Sequence, residues 1–262
     1  MDVLIHVTYR YLERNYRKLL EKGVNLEVLF FSTDIDSSVD RVLLKDITSM
    51  FEEAGLFFNV HAPFYDLNLG SFDGFILDAV IRRYESLLPV VEIMKPRALV
   101  IHTGYDRWRY RTKEGDWLDI AVNTLTKLDS LFPKDMKLLL ENVFDEAPNV
   151  LYDLLTNFDS SRFGCCFDVG HFHLFSKAEI DEWLIRIGDR IFELHIHDND
   201  KLDDRHWAIG RGSAPVYRLL RWAILEDVPY FTIEAHTELD ALLSLERLLD
   251  LKKRVLEGSN GL

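Results

Sequence analysis

Residues 191–212 read IFELHIHDNDKLDDRHWAIGRG. A short apolar run passes into a segment with three histidines (His195, His197, His206) and four aspartates (Asp198, Asp200, Asp203, Asp204) within a dozen residues, closed by the glycines of IGRG. Side chains alternate along a strand with period two, so Phe192, Leu194 and Ile196 fall on one face and Glu193, His195 and His197 on the other. This is the pattern of a strand running into a ligand-bearing loop. A half-exposed strand with no such role alternates in the same way, and the other segments must decide between the two.

Those segments repeat the pattern. Apolar runs at 3–7, 26–31, 57–61, 98–102, 137–141, 163–168, 191–197 and 230–234 alternate with amphipathic stretches at 15–22, 39–54, 72–94, 117–131, 149–158, 178–187, 214–225 and 239–256, the third long enough for two helices. Near-continuous apolar strands in strict alternation with helices predict a parallel sheet covered by helices. Eight such units in 262 residues predict an α/β fold of one kind, a single closed (β/α)8 TIM barrel, over an open doubly wound sheet. No Gly-rich fingerprint follows the first strand, which leaves a dinucleotide or NTP fold without support. No linker or composition break divides the chain, so one domain over 1–262 is expected, with the EGSNGL tail fraying from about residue 257.

Composition narrows the class. With 48% hydrophobic and 29% charged residues the chain is of the soluble globular type. No apolar run approaches the roughly 18 residues that span a membrane, and the start, MDVLIHVTYRYLERNYRK, lacks a signal-peptide layout. A cytoplasmic protein with no membrane partner is expected. The only cysteines, Cys165 and Cys166, are adjacent in a predicted strand, which argues for buried small hydrophobes and against a disulfide framework. A formal net charge of −13 argues against a surface that grips nucleic acid all round, though a local basic groove stays compatible with it.

The nine histidines, His6, His61, His102, His171, His173, His195, His197, His206 and His236, all lie in a predicted strand or just past its end, and none in a predicted helix. In a barrel the C-terminal strand ends converge on the face where active sites are built. Carboxylates join them there: LLLEN ends in Glu141, CCFDVGH carries Asp168, and FTIEA carries Glu234. By parity Leu139 with Glu141, Cys166 with Asp168, and Thr232 with Glu234 share a face, so each carboxylate points into the mouth. Acidic groups facing one another repel, and a divalent cation is the natural compensator. Imidazole and carboxylate donors without a free thiolate favour zinc, with manganese the alternative, over a cysteine site or calcium. The competing account is a buried hydrogen-bond network of the same groups.

The ordered series VHAP (60–63), VIHTG (100–104), LENV (140–143), FDVGH (167–171), HIHDND (195–200), DRH (204–206) and the strand ending in Glu234 resembles the xylose-isomerase-like TIM barrel superfamily, which includes endonuclease IV and sugar isomerases and epimerases. The resemblance covers nearly the whole chain. It implies one of two metal sites. The isomerase type implies a single cation on Glu141, Asp168, His195 and Glu234. The endonuclease IV type implies three zinc ions and adds His61 and His102, which with Glu141 hold one metal, and His171, Asp204 and His206, which hold another. All nine positions carry the matching residue type. One to three divalent ions per chain are therefore expected.

The chain also departs from endonuclease IV. Phe64 follows HAP where tyrosine is usual, Arg211 stands in IGRG where glutamate is usual, and the loop STDIDSSVD after the second strand is acidic. These differences spare the metal ligands and put abasic-site DNA in doubt as the substrate. Anion binding is expected from YDRWRYRTK (105–113), where Arg107, Arg109 and Trp108 follow His102, and from Arg205 and Arg211 across the mouth, with Asn142 orienting hydroxyls. A solvated loop with arginines packed on aromatics is the alternative for 105–113. The ligand is expected to be a phosphorylated or sugar-containing small molecule or damaged DNA. Two enzymes fit: a metal-dependent phosphodiester hydrolase of the endonuclease IV kind, and a sugar (phosphate) isomerase or epimerase in which Glu141 and Glu234 move a proton on opposite faces of one carbon. A non-catalytic metal-binding barrel is the third possibility.

Overall fold

The computed structural model describes residues 1–37 and 39–258. Eight parallel strands, β1 (Asp2–Thr8), β2 (Asn25–Leu29), β3 (Phe58–His61), β4 (Ala98–His102), β5 (Lys137–Glu141), β6 (Phe163–Asp168), β7 (Ile191–Ile196) and β8 (Tyr230–Ile233), pair in chain order. β8 pairs back to β1 and closes the barrel. Each strand leads to a covering helix, from Tyr9–Lys22 after β1 to Glu238–Leu256 after β8. Among the described residues no helix is long and apolar enough to cross a membrane. The part of the expected frayed tail from 259 onward lies outside the described residues.

Strand limits fall within two residues of the apolar runs, but the helices differ in instructive ways. The first begins at Tyr9, not at 15, because Thr8 caps it by accepting from the Tyr11 amide. The stretch long enough for two helices is one, Gly74–Met94, running through Pro89. Proline there removes a single hydrogen bond, while Leu87, Val90, Val91 and Met94 around it are all buried and hold the helix to the barrel. Three short helices, Ser32–Ser37, Arg107–Tyr110 and Val169–Phe175, stand where loops were expected.

The core has two parts. Outward strand residues such as Val28, Val60, Ile101, Leu140 and Leu194 pack under helix residues such as Leu12, Trp117 and Trp183. Inside the barrel, Ala98, Val100, Leu139 and Cys166 form a small apolar plug. Leu139 and Cys166 thus lie on the inward face, as parity predicted, which sends Glu141 and Asp168 to the mouth above them. Phe192 breaks its expected parity with Leu194 and Ile196. Cys165 pairs with Ile191 and Cys166 with Glu193, so Phe192 is the extra residue of a bulge. It packs against the plug, in space that exists because residue 164 is glycine, where a Cβ would lie 2.2 Å from the Phe192 ring.

Candidate metal centre

Where the strands end, apolar inward positions give way to polar ones. His6 from β1, His61 from β3, His102 from β4, Glu141 from β5, Asp168 from β6 and His195 from β7 point to one focus, joined by Glu234 just past β8. Glu141 is the hub. Its Oε2 lies 3.2 Å from His61 Nε2, 3.0 Å from His102 Nε2 and 3.6 Å from His195 Nδ1, while Oε1 lies 3.0 Å from His171 Nδ1. Glu234 closes the ring of contacts, 2.9 Å from His6 Nδ1 and 3.2 Å from His195 Nδ1.

Local chemistry builds the other half. Asp168 is the N-cap of the helix Val169–Phe175, accepting from the His171 amide at 2.6 Å, and this cap sets His171 over the mouth. After β7 the chain folds back on itself, with Asp198 and Trp207 exchanging backbone hydrogen bonds at 2.9 Å. The buried Asp198 carboxylate accepts from the amides of Gly210, Gly212 and Ala214, each at 2.9 Å, which pins the IGRG segment. The pinned loop delivers Asp204 and His206 to the mouth. His206 has a φ of +48°, stacks on His197 with ring centres 3.9 Å apart, and lies 3.0 Å from Asp204. All nine expected metal ligands, His61, His102, Glu141, Asp168, His171, His195, Asp204, His206 and Glu234, are thereby brought together.

Three neighbours of the cluster were not among the expected ligands. His197 places Nε2 3.1 and 3.2 Å from the two oxygens of Asp168, and it can complete a three-donor group with Asp168 and His171 or with Asp204 and His206. Its signal was present in the sequence, since it shares the polar face of the strand with His195. His6 stacks on His61 with ring centres 5.7 Å apart. Glu27, deep in β2, reaches His195 from below. By contrast His173 lies in the short helix with His171, so two histidines are helical after all, and it contacts Ser213 and not the cluster.

The electrostatics are those of acids and imidazoles held out of water. Burial alone would raise the Glu141 carboxyl, but the charges of His102 and His195 outweigh it and hold it well below the usual range. Burial opposes protonation of His171, and Asp168, Asp204 and Glu141 overcome it to raise that imidazole well above its ordinary value. In the same way Asp204 and Glu234 lift His206 to about 9 against burial. Protons or a divalent cation can supply the positive charge these carboxylates call for. Several donors fit the cation better. His171 Nδ1, both nitrogens of His195, His197 Nδ1 and Asp204 Oδ1 are buried without an aligned hydrogen bond, although carboxylates or imidazoles stand close by. Such orphans are rare unless an ion or water satisfies them. The groups His61–His102–Glu141, Asp168–His171–His197 and His197–Asp204–His206 each bring three donor atoms within 4.8 Å of one another, with the mixed nitrogen and oxygen chemistry that zinc and manganese accept.

A cavity of about 1060 Å³ opens above the cluster, walled by Phe31, Phe64, Tyr65, Tyr105, Phe144 and Phe175. Of the six expected substrate contacts only Arg109 lines it. Arg107 is paired with Glu146, Arg205 lies 3.3 Å from Asp203, and Arg211 lies 3.2 Å from Asp240 and over the Trp207 ring. Trp108 is 76% exposed outside the cavity. Asn142 is a correction of a firmer kind. Its amide donates to the Asp168 carbonyl at 3.0 Å and accepts from the Asp168 amide at 2.8 Å, so it clamps β5 to β6, buried and away from the cavity wall.

The clamp on the His197 side has a steric test. A Cβ on Gly170 would lie 1.9 Å from His197 Cε1, and the ring is already stacked on His206. Gly170→Ala is expected to push His197 off Asp168, to cost about 2 kcal/mol or more in denaturant unfolding, and to weaken zinc uptake in calorimetric titration. A variant with wild-type stability and zinc binding would show that His197 does not matter to either.

The chain belongs to the xylose isomerase-like TIM barrel family, whose description matches residues 22–251. It is 29% identical over 209 residues to the uncharacterized protein MJ1311 of Methanocaldococcus jannaschii, covering 76% of this chain and 71% of that one. Among solved structures, a D-tagatose 3-epimerase-like protein superposes with a TM-score of 0.82 at 24% identity, over 98% of this chain and 99% of that one. Endonuclease IV from Thermus thermophilus superposes with a TM-score of 0.71 at 16% identity, over 97% and 100%. At such identities these two share the fold, and the fold serves both chemistries.

Proposed function

We propose that this protein is a metal-dependent hydrolase of phosphodiesters, related in chemistry to endonuclease IV, with a multinuclear centre and a small phosphorylated substrate in place of duplex DNA. The observation that carries it is the convergence of all nine ligand types on one mouth, where a single-cation centre would use four. His61, His102 and Glu141 would hold one cation, His171, Asp204 and His206 with His197 a second, and Asp168, His195 and Glu234 with Glu141 a third. When bound, the cations supply positive charge against the phosphoryl oxygens and make water more acidic. The chain's own groups do the rest. Imidazoles stand at both oxygens of each acid, but the Glu141 side chain is only 1% exposed and that of Glu234 is 16% exposed, so Glu234 is the carboxylate placed to take the proton of the attacking water. Arg109 meets the substrate anion from the rim, and the aromatic wall limits water around it.

The size of the cavity and the neutralised rim argue for a small molecule. DNA binding draws on many unpaired cations along a backbone. Here Arg107, Arg205 and Arg211 each face a carboxylate, Lys18 and Lys22 at the mouth face Glu238, and the net charge is −13. The second reading, a sugar (phosphate) epimerase on one cation, draws on Glu141 and Glu234 approaching His195 together with Asp168. Screening zinc- and manganese-loaded protein against small phosphodiesters, abasic-site DNA and a ketose panel separates them. Turnover of small phosphodiesters with duplex DNA untouched is the expected result; conversion of ketoses with every phosphodiester intact would put the epimerase in its place.

A further inference from the structure

We propose that Glu27 is a positioning residue for this centre, its carboxylate fixing from inside the barrel which nitrogen of His195 faces the mouth. The inference rests on the mouth being a metal centre. Glu27 and His195 are both fully buried, and Glu27 Oε1 lies 2.9 Å from His195 Nε2. On the opposite edge of the same ring, Nδ1 faces Glu234 at 3.2 Å, Glu141 at 3.6 Å and Asp168 at 3.9 Å. A neutral imidazole carries one proton, and the nitrogen that binds a cation must be without it. The Glu27 approach is short without being in line for a hydrogen bond, so charge decides the matter: with cations engaging Glu234, Glu141 and Asp168 on the Nδ1 edge, Glu27 is the anion left beside the ring, and it keeps the proton on Nε2 and leaves the Nδ1 lone pair to the mouth.

The burial of Glu27 calls for a partner. Burying a carboxylate inside a barrel is costly unless a partner compensates it, and an apolar residue of similar size would pack there without that cost. Among the described residues its one ion-pair partner is His195. Glu193, the other acid at this depth, is already satisfied, accepting from Asn59 Nδ2 at 3.0 Å and from the Thr232 hydroxyl. The two acids are therefore built differently, one held by neutral donors and one set against a ligand's far nitrogen.

That difference gives the test. Zinc titration of metal-free protein is expected to show affinity at one site reduced about 10- to 100-fold in Glu27→Gln, with the thermal midpoint of the metal-free variant unchanged or raised, while Glu193→Gln binds zinc like the parent. Equal losses in both variants would mean a polar layer that supports the barrel generally, and unchanged affinity in Glu27→Gln would mean no role; either overturns the proposal. The parent protein offers a second readout that needs no variant. Loaded with 113Cd and labelled with 15N-histidine, it should show cadmium coupled to His195 Nδ1 and a proton on Nε2; coupling to Nε2 overturns the assignment. A parent that binds neither metal defeats the metal-centre reading itself, and this inference with it, whereas normal metal binding without hydrolysis of any phosphodiester leaves the Glu27 result standing.

Discussion

Glu141→Gln is expected to lower kcat/KM at least a thousandfold, about 4 kcal/mol of transition-state stabilisation, and to leave purified protein short of at least one equivalent of metal. The reason lies in the contacts of one carboxylate. Glu141 is within 3.6 Å of four imidazoles, two on Oε2 that form a donor group with it, His195 beside the same oxygen, and His171 on Oε1. The neutral amide keeps the shape and removes the charge, and it cannot present two anionic oxygens to cations on either side. The fold should survive, because the surrounding imidazoles can shed their protons once the acid that held them is gone, instead of remaining as uncompensated buried charges. Metal analysis, circular dichroism and steady-state kinetics on the same preparation check each part. A folded variant with full metal content and full activity would remove Glu141 from the centre.

The sequence made the barrel legible because two periodicities switch so cleanly. Strands β4, β5 and β6 coincide with the apolar runs at 98–102, 137–141 and 163–168, since residues buried on both faces leave little ambiguity about where a strand runs. The clustering of the candidate ligands was legible for a related reason: histidine and acid at the end of an otherwise apolar strand have few places to go but the mouth. What the sequence does not carry depends on contacts across the barrel. Glu27 reads as a lone acid in NLEVL, and only the closed sheet puts it beside a histidine far along the chain. The helix Val169–Phe175 escaped because its sequence, VGHFHLF, has no polar face to set a period, and it is fixed by the Asp168 cap. The rim arginines misled because Glu146, Asp203 and Asp240, which neutralise them, lie on other segments or carry no signal of pairing. Phe192 was placed on the wrong face because a bulge leaves no mark in a count by twos.

Removing metal should have an even broader effect than changing any one ligand. Protein loaded with zinc is expected to hold about three equivalents per chain, to lose all hydrolytic activity on chelation, and to regain it on readdition. Each tight site also stabilises the folded state by mass action, about 2.7 kcal/mol when free zinc is a hundred times its dissociation constant. For a chain of this size 1 kcal/mol moves the thermal midpoint by roughly 2–4 °C, so stripping three such sites, about 8 kcal/mol together, should lower it by roughly 15–30 °C. The ligand geometry predicts how this divides. His61 and His102 meet only the Glu141 end of the cluster, and His206 only the Asp204 and Glu234 end. His61→Ala and His206→Ala should therefore each remove about one equivalent, and different ones. A single-cation epimerase built on Glu141, Asp168, His195 and Glu234 makes the opposite demand: one equivalent in the parent, retained in both variants. Since two histidines at opposite ends of the mouth have no reason to bind the same ion, retention of full metal in both variants would count against every reading that uses more than one cation.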